Sequence, residues 1–187
     1  GSSYLFARED MRESVDVLFV DEAGQLSLAD TLGVSLASKN LVLVGDPQQL
    51  KQPTKAAHPG ESGLSALEYI NQGNDVVPEG FGILLGVTKR MHPEITAFIS
   101  EQVYEGKLQS ESGCELQEIG GDDWLSGSGL RWHPVEHSGR TTFSPEEVEK
   151  VVETFYAVLG RNFTDKRGAK SQLQPKDVFL IAPRSEE

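Results

Sequence analysis

Val17-Leu18-Phe19-Val20-Asp21-Glu22-Ala23-Gly24-Gln25 is an apolar run that ends in two adjacent acids, and Leu41-Val42-Leu43-Val44-Gly45-Asp46-Pro47-Gln48-Gln49-Leu50 repeats the plan further along. Four apolar residues without alternation, closed by Gly and polar residues, read as a strand buried on both faces. Between the runs, Ser27-Leu28-Ala29-Asp30 is a capping-box-like start for a helix expected to reach about Ser38. Leu28, Leu32 and Leu36 recur at helical spacing and are expected to form its buried stripe. Strand, helix, strand at this spacing is a βαβ unit, so the sheet should be parallel and the fold class α/β. Polar side chains are then delivered at the carboxyl ends of two strands, where open α/β sheets bind ligands.

Adjacent Asp and Glu at such an end suit nucleoside-triphosphate hydrolysis. Asp21 can hold Mg²⁺, usually through its waters, and Glu22 can orient and deprotonate the attacking water. One part of that machinery is missing: no G-x-x-x-x-G-K-[ST] loop occurs in the chain. The chain is therefore expected to be a segment of a longer protein, with Gly1-Ser2-Ser3 partly an appended tail. Without the loop, the segment alone is expected not to turn over.

Composition sets the remaining bounds. The 187 residues, 37% apolar and 25% charged, suit one substantial core or two small ones. No apolar run of membrane-spanning length and no leader pattern occurs, which leads us to expect a cytoplasmic protein with no membrane partner. The single Cys114 excludes an internal disulfide. A net charge of −12 argues against a simple basic nucleic-acid binder and leaves room for a local groove on a motor protein.

Further along, residues 65–71 read as a short helix and residues 71–82, with three Gly and a Pro, as the boundary between two lobes. The domains expected are residues 1–76 and 77–187. The second lobe should carry a helix with Pro93 near its start and Ile95, Phe98, Ile99 and Val103 on one face. Residues 111–129 read as an exposed connection, and residues 130–135 and 178–181 as strands, the last one buried. Ser144-Pro145-Glu146-Glu147 starts a helix to about Leu159, with a stripe of Val148, Val151, Val152, Phe155, Val158 and Leu159.

Three motifs in order carry a resemblance that spans nearly the whole chain. Asp21-Glu22-Ala23-Gly24-Gln25 resembles a D-E-A-x-Q Walker B motif, and Gly45-Asp46-Pro47-Gln48-Gln49-Leu50 a G-D-P-x-Q-L motif. Arg90-Met91-His92-Pro93-Glu94-Ile95, with Phe98-Ile99-Ser100 and Tyr104-Glu105-Gly106-Lys107-Leu108, resembles R-M-H-P-x-I…F-x-S…Y-x-G-x-L. The set is similar to superfamily 1 helicases, in the branch of RNA-surveillance helicases and DNA-replication helicase-nucleases. Within it, the chain most resembles bacterial proteins that fuse a RecB-like nuclease to such a helicase.

The resemblance implies parts of two tandem RecA-like domains, with ATP and Mg²⁺ as cofactors and single-stranded DNA or RNA as partner. The remainder of the parent chain would be a further partner. It makes Glu22 the general base, Gln49 the γ-phosphate sensor and Arg90 an arginine finger. Asp21, Asp46 and Gln25 fall among the nucleotide-binding residues, with Asp21 on Mg²⁺ and Asp46 in its outer shell or positioning Gln49. Lys89 stands where many relatives have Tyr, and Arg184 follows Ala182-Pro183 where Tyr is usual.

Blander readings apply to each motif. A lone acid pair is ordinarily a solvated strand end, and Gly-Asp-Pro is ordinarily a turn. Arg90 could pair with Glu94 one turn on, a contact of about 0.3–0.5 kcal/mol. His133-Pro134-Val135-Glu136-His137 fits H-x-x-E-H, yet Pro and the neighbouring Gly deny it the helix a zinc peptidase needs. His92 reads as a capping or packing residue, and Trp124 and Trp132 as anchors rather than base-stacking platforms. Two other functions fit the same motifs: a nucleotide-gated nucleic-acid clamp, and a non-catalytic interaction domain.

Overall fold

The structure is a computed structural model that describes residues 1–49, 59–141 and 143–182. Leu50, the last residue of the second motif, and Pro183-Arg184 lie outside the described residues. The chain forms two compact units, one of Gly1–Leu84 with Val103–Glu105, the other of Leu85–Gln102 and the residues from Gly106 onward.

In the first unit a short helix, α1 (Ser3–Phe6), precedes β1 (Val15–Val20), α2 (Leu28–Ser35) and β2 (Ser38–Leu43). β1 and β2 pair in parallel from Val15↔Ser38 to Val20↔Leu43, so the βαβ unit forms as expected. Ser27 caps α2, its hydroxyl oxygen accepting from the Asp30 N–H at 3.1 Å. β2 begins three residues earlier than its apolar run. Its polar start is held because Lys39 pairs with Asp16 at 3.1 Å and Asn40 Nδ2 donates to the Asp16 carbonyl at 3.2 Å. α3 (Ala66–Asn71) carries a full capping box: the Glu68 N–H donates to Ser65 Oγ, and the Ser65 N–H to Glu68 Oε2.

Two packing expectations are corrected. The strands are buried on one face only: Leu18 and Val20 join Ala23 and Val34 in the core, while Phe19 is 68% exposed. Partners such as Phe6, Leu26 and Leu67 cover that one face, so Val17, Phe19 and Val42 on the other stay open. The buried line of α2 is Thr31 and Val34 rather than Leu28, Leu32 and Leu36, with Leu32 at 61% exposure. The helix stops at Ser35, earlier than the leucine spacing suggests, and docks through its shorter residues.

The second unit opens with a smaller parallel pair, β3 (Val87–Thr88) and β4 (Gln109–Ser110), joined through α4 (Pro93–Val103). α4 buries Thr96 and Ser100, not the apolar face of Ile95, Phe98 and Ile99. Hydroxyls do the docking: Thr96 Oγ1 and Ser110 Oγ lie 2.7 Å apart, and the Leu108 N–H donates to Ser100 Oγ at 3.0 Å. Residues 111–129 are not an exposed connection, since Cys114 is wholly buried and β5 (Glu118–Ile119) pairs antiparallel with β6 (Asn162–Thr164). α5 (Pro145–Val158) starts at the expected Ser144 cap, although Val148, Val151 and Val152 of its stripe remain exposed. β7 (Lys170–Gln172) completes an antiparallel hairpin with β6.

Residues 130–135 and 178–181 are not strands. In the first, Pro134 has no N–H to give a ladder, and the Arg131 guanidinium ties the segment as a loop by donating to the carbonyls of Trp124, Ser126, Ser128 and Gly129. In the second, no described strand pairs with the apolar run, and Ile181 is 92% exposed. Among the described residues no helix is long and apolar enough to cross a membrane. The α/β class with parallel pairing holds in both units.

Candidate functional site

The two strand tips of the first unit touch. The Val44 N–H donates to the Val20 carbonyl at 2.8 Å, and the Ala23 N–H to the Val44 carbonyl at 2.9 Å, extending the ladder past both strands. The backbones then close further: a Cβ placed on Gly24 would lie 2.4 Å from the Asp46 carbonyl oxygen, and one on Gly45 2.8 Å from the Ala23 nitrogen. Asp21-Glu22 and Asp46-Gln49 therefore leave the sheet side by side.

Among the described residues no cation pairs with the two acids. Asp21 Oδ1 accepts the Glu22 N–H at 3.0 Å, and no described residue donates to Oδ2 or to the Glu22 carboxylate. Glu22 adopts the left-handed backbone region, φ 54°, which costs a residue with a side chain about 1–2 kcal/mol. Its carbonyl accepts the Gln25 N–H at 2.9 Å, so Glu22 stands in a tight turn just past β1. Asp21, Glu22 and Gln25 border a cleft of about 540 Å³ whose other wall includes Gly1, Ser3 and Phe6.

Free carboxylate oxygens at a strand tip fit Mg²⁺, a hard cation that keeps several waters and takes one or two carboxylates plus phosphate oxygens. Among the described residues no group of three or more metal-ligating side chains exists.

Asp46, by contrast, is fully engaged. Oδ1 accepts the Gln48 N–H at 3.0 Å, and Oδ2 accepts the Tyr104 hydroxyl at 2.5 Å and Gln49 Nε2 at 3.4 Å. Partial burial, and then the hydrogen bond to the Asp46 carboxylate, push the Tyr104 phenol far above its ordinary range, so it stays a donor. Gln48 Nε2 donates to the Asp75 carbonyl at 3.0 Å, fixing the turn from its other side. These contacts tie Asp46 to Gln48, Gln49 and Tyr104.

In the second unit, Arg90 lies in the loop between β3 and α4 with its guanidinium exposed and unpaired among the described residues. The pairing with Glu94 does not form; Glu94 instead accepts from Ser128 Oγ at 3.3 Å. His92 caps α4, its Nδ1 accepting the Glu94 N–H at 3.1 Å. His133 stacks on Trp124 with centroids 5.0 Å apart, and His137 pairs with Glu147 at 3.0 Å, so the H-x-x-E-H residues build no metal site. Trp132 is 89% exposed and anchors nothing.

Tyr104 belongs to the third motif, which by itself gives it no role. The signal that could have found it is its place beside a helix end in a motif shared with the arginine, which spacing alone does not connect to Asp46. Nothing in the sequence marks Asp75, whose contribution is mainly a backbone carbonyl.

No protein-family model matches the chain. It is 34% identical over 175 residues to the DNA replication ATP-dependent helicase/nuclease DNA2 of Gallus gallus, covering 92% of this chain and 16% of that protein. It is 35% identical over 112 residues to the probable helicase MAGATAMA 3 of Arabidopsis thaliana, 58% of this chain and 13% of the relative. Similarity to the helicase sen1 of Schizosaccharomyces pombe is 30% over 167 residues, 81% of this chain and 10% of the relative. The chain thus spans about a sixth or less of the curated relatives it matches, and each of those relatives is a helicase by name.

Proposed function

We propose that this chain is the segment of an ATP-dependent superfamily 1 helicase that carries its Walker B, G-D-P-x-Q and arginine-bearing motifs. Residues 1–76 would belong to the first RecA-like domain and residues 77–187 to the second. The parent protein would translocate on single-stranded DNA or RNA, with a RecB-like nuclease region fused to it. The observation that carries this reading is the close contact of the two strand tips, which sets the acid pair beside a hydrogen-bonded Asp-Gln turn.

In the proposed reaction a water oxygen attacks the γ-phosphorus of ATP as the bond from that phosphorus to the β,γ-bridging oxygen breaks. Glu22 takes a proton from the water, and ADP and phosphate leave. Asp21 would hold Mg²⁺, which neutralises charge on the β- and γ-phosphate oxygens. Gln25 lies on the same cleft as the acids and would contact the nucleotide. Gln49, with its Nε2 turned to Asp46, keeps its amide oxygen available to accept from water. Arg90 would stabilise charge on the transferring phosphoryl group.

Glu22→Gln keeps size and backbone while removing the base. In the full-length protein it should lower ATP turnover ~10²-fold or more and leave ATP binding intact. Wild-type turnover in that variant would overturn the reading. A single-strand translocation assay separates a motor from a clamp, because a clamp hydrolyses ATP without directional movement.

A further inference from the structure

The loop that carries Arg90 has every one of its four carbonyls taken. Lys166 Nζ donates to the Lys89 carbonyl at 2.8 Å, Gln117 Nε2 to that of Arg90 at 3.1 Å, and Ser110 Oγ to that of Met91 at 2.9 Å. The His92 carbonyl accepts the Ile95 and Thr96 N–H groups at 3.0 Å. The Arg90 N–H itself donates to Thr88 Oγ1 at 3.3 Å. Capping accounts for the contacts at His92. Ordinary loop geometry does not account for three side chains, from β4, from the end of the Cys114 turn and from the β6–β7 hairpin, converging on three consecutive peptides.

The chain is built to bring them there. Asp165 Oδ1 accepts the Arg167 and Ala169 N–H groups at 2.8 and 2.9 Å, closing the hairpin turn so that Lys166 points away from it. Gly113, at φ 100°, lets the hairpin approach: a Cβ there would lie 2.7 Å from the Lys166 carbonyl oxygen. Gln117 Nε2 also donates to the Cys114 carbonyl at 3.2 Å, fixing its amide against a wholly buried residue. Glu111 accepts from Lys166 at 3.2 Å and pairs with Lys89 at 3.5 Å, and the Lys166 hydrogen bond leads the effects that hold its carboxyl below the usual range. Both lysines beside the loop thereby share one carboxylate, and the Arg90 guanidinium has no partner among the described residues.

We propose that Lys166 and Gln117 are positioning residues for Arg90: they clamp its backbone so that the guanidinium is presented without rearrangement. The proposal rests on the helicase reading of Arg90. Preorganised cations are effective because no reorganisation is needed at the moment of reaction, and a misplacement of about 1 Å can cost ~10²-fold.

The test is a kinetic cycle in the full-length protein. Lys166→Met and Gln117→Leu should each lower kcat for ATP roughly tenfold, with KM for ATP within about twofold, and Lys166→Arg, which keeps a donor, should restore most of it. In an Arg90→Ala background neither change should lower kcat further. An equal loss with and without Arg90 would overturn the positioning role, as would an effect confined to Tm. Failure of the underlying reading looks different: Arg90→Ala itself would turn over normally, leaving nothing to position.

Discussion

The Asp-Gln turn of the first unit and the arginine loop of the second are held in opposite ways. At Asp46 the side chain is the tether, taking Tyr104, Gln48 and Gln49 on two oxygens. At Arg90 the peptide carbonyls are tethered and the side chain is left free. A group that must orient a neighbour is best fixed at its own polar atoms. A group that must reach an incoming charge is best fixed everywhere except there. Among the described residues no cation pairs with Asp21 or Glu22, whereas Glu111, Asp123 and Glu146 of the second unit are each paired with a lysine or arginine.

The sharpest way to break this contrast is at the free side chain. Arg90→Ala should lower ATP turnover of the full-length protein ~10²-fold or more while leaving Tm nearly unchanged, because the guanidinium supports no described contact. Arg90→Lys should recover little, since an ammonium lacks the planar fork that spans two phosphoryl oxygens. A large drop in Tm with Arg90→Ala would mean that the side chain is structural after all.

Tyr104→Phe probes the tethered end and should act the other way round. Losing one hydrogen bond to a carboxylate costs on the order of 1 kcal/mol, roughly fivefold if all of it appears in turnover through a looser Gln49. Tm should fall with it. The alkaline limb carries a second signature. The phenol's pKa is raised on folding, so its contribution is complete below the unfolded value of 10.0 and is lost as pH rises beyond it. The Phe variant should lack that loss in thermal melts from pH 9 upward. An unchanged alkaline limb would show that Asp46 does not need the phenol.

Sequence reading reached the parts of this arrangement that depend on local chemistry. Ser27 and Ser144 were legible as caps because a side-chain acceptor three residues before an N–H is a local event. The two strand tips were legible because apolar runs and Gly-rich ends sit within one βαβ unit. Burial was misread wherever it depended on what lies across from an element. Phe19, Leu32 and Ile181 have the pattern of core residues but face no described layer, whereas Thr96, Ser100 and Cys114 look polar or incidental and are buried. The tethers were invisible for a related reason. Tyr104 to Asp46 spans 58 residues and Lys166 to Lys89 spans 77, and no spacing rule links positions that far apart.

The smallest effect is expected at a paired acid of the second unit. Arg140 meets Glu146 through Nε to Oε2 at 3.1 Å and Nη2 to Oε1 at 2.5 Å, and this hydrogen bonding draws the Glu146 carboxyl down from 4.5 to about 2. A carboxyl depressed on folding stabilises fully above its unfolded value and loses that contribution as pH falls through the folded one. The window for Glu146 is therefore about pH 4.5 down to about 2. The pair is exposed at the start of α5, so the effect is modest and should shrink in high salt. In melts followed from pH 7 to pH 2, Glu146→Gln should start slightly below the unmodified chain and converge with it towards pH 2. Parallel curves across that range would mean that the guanidinium contributes nothing on folding.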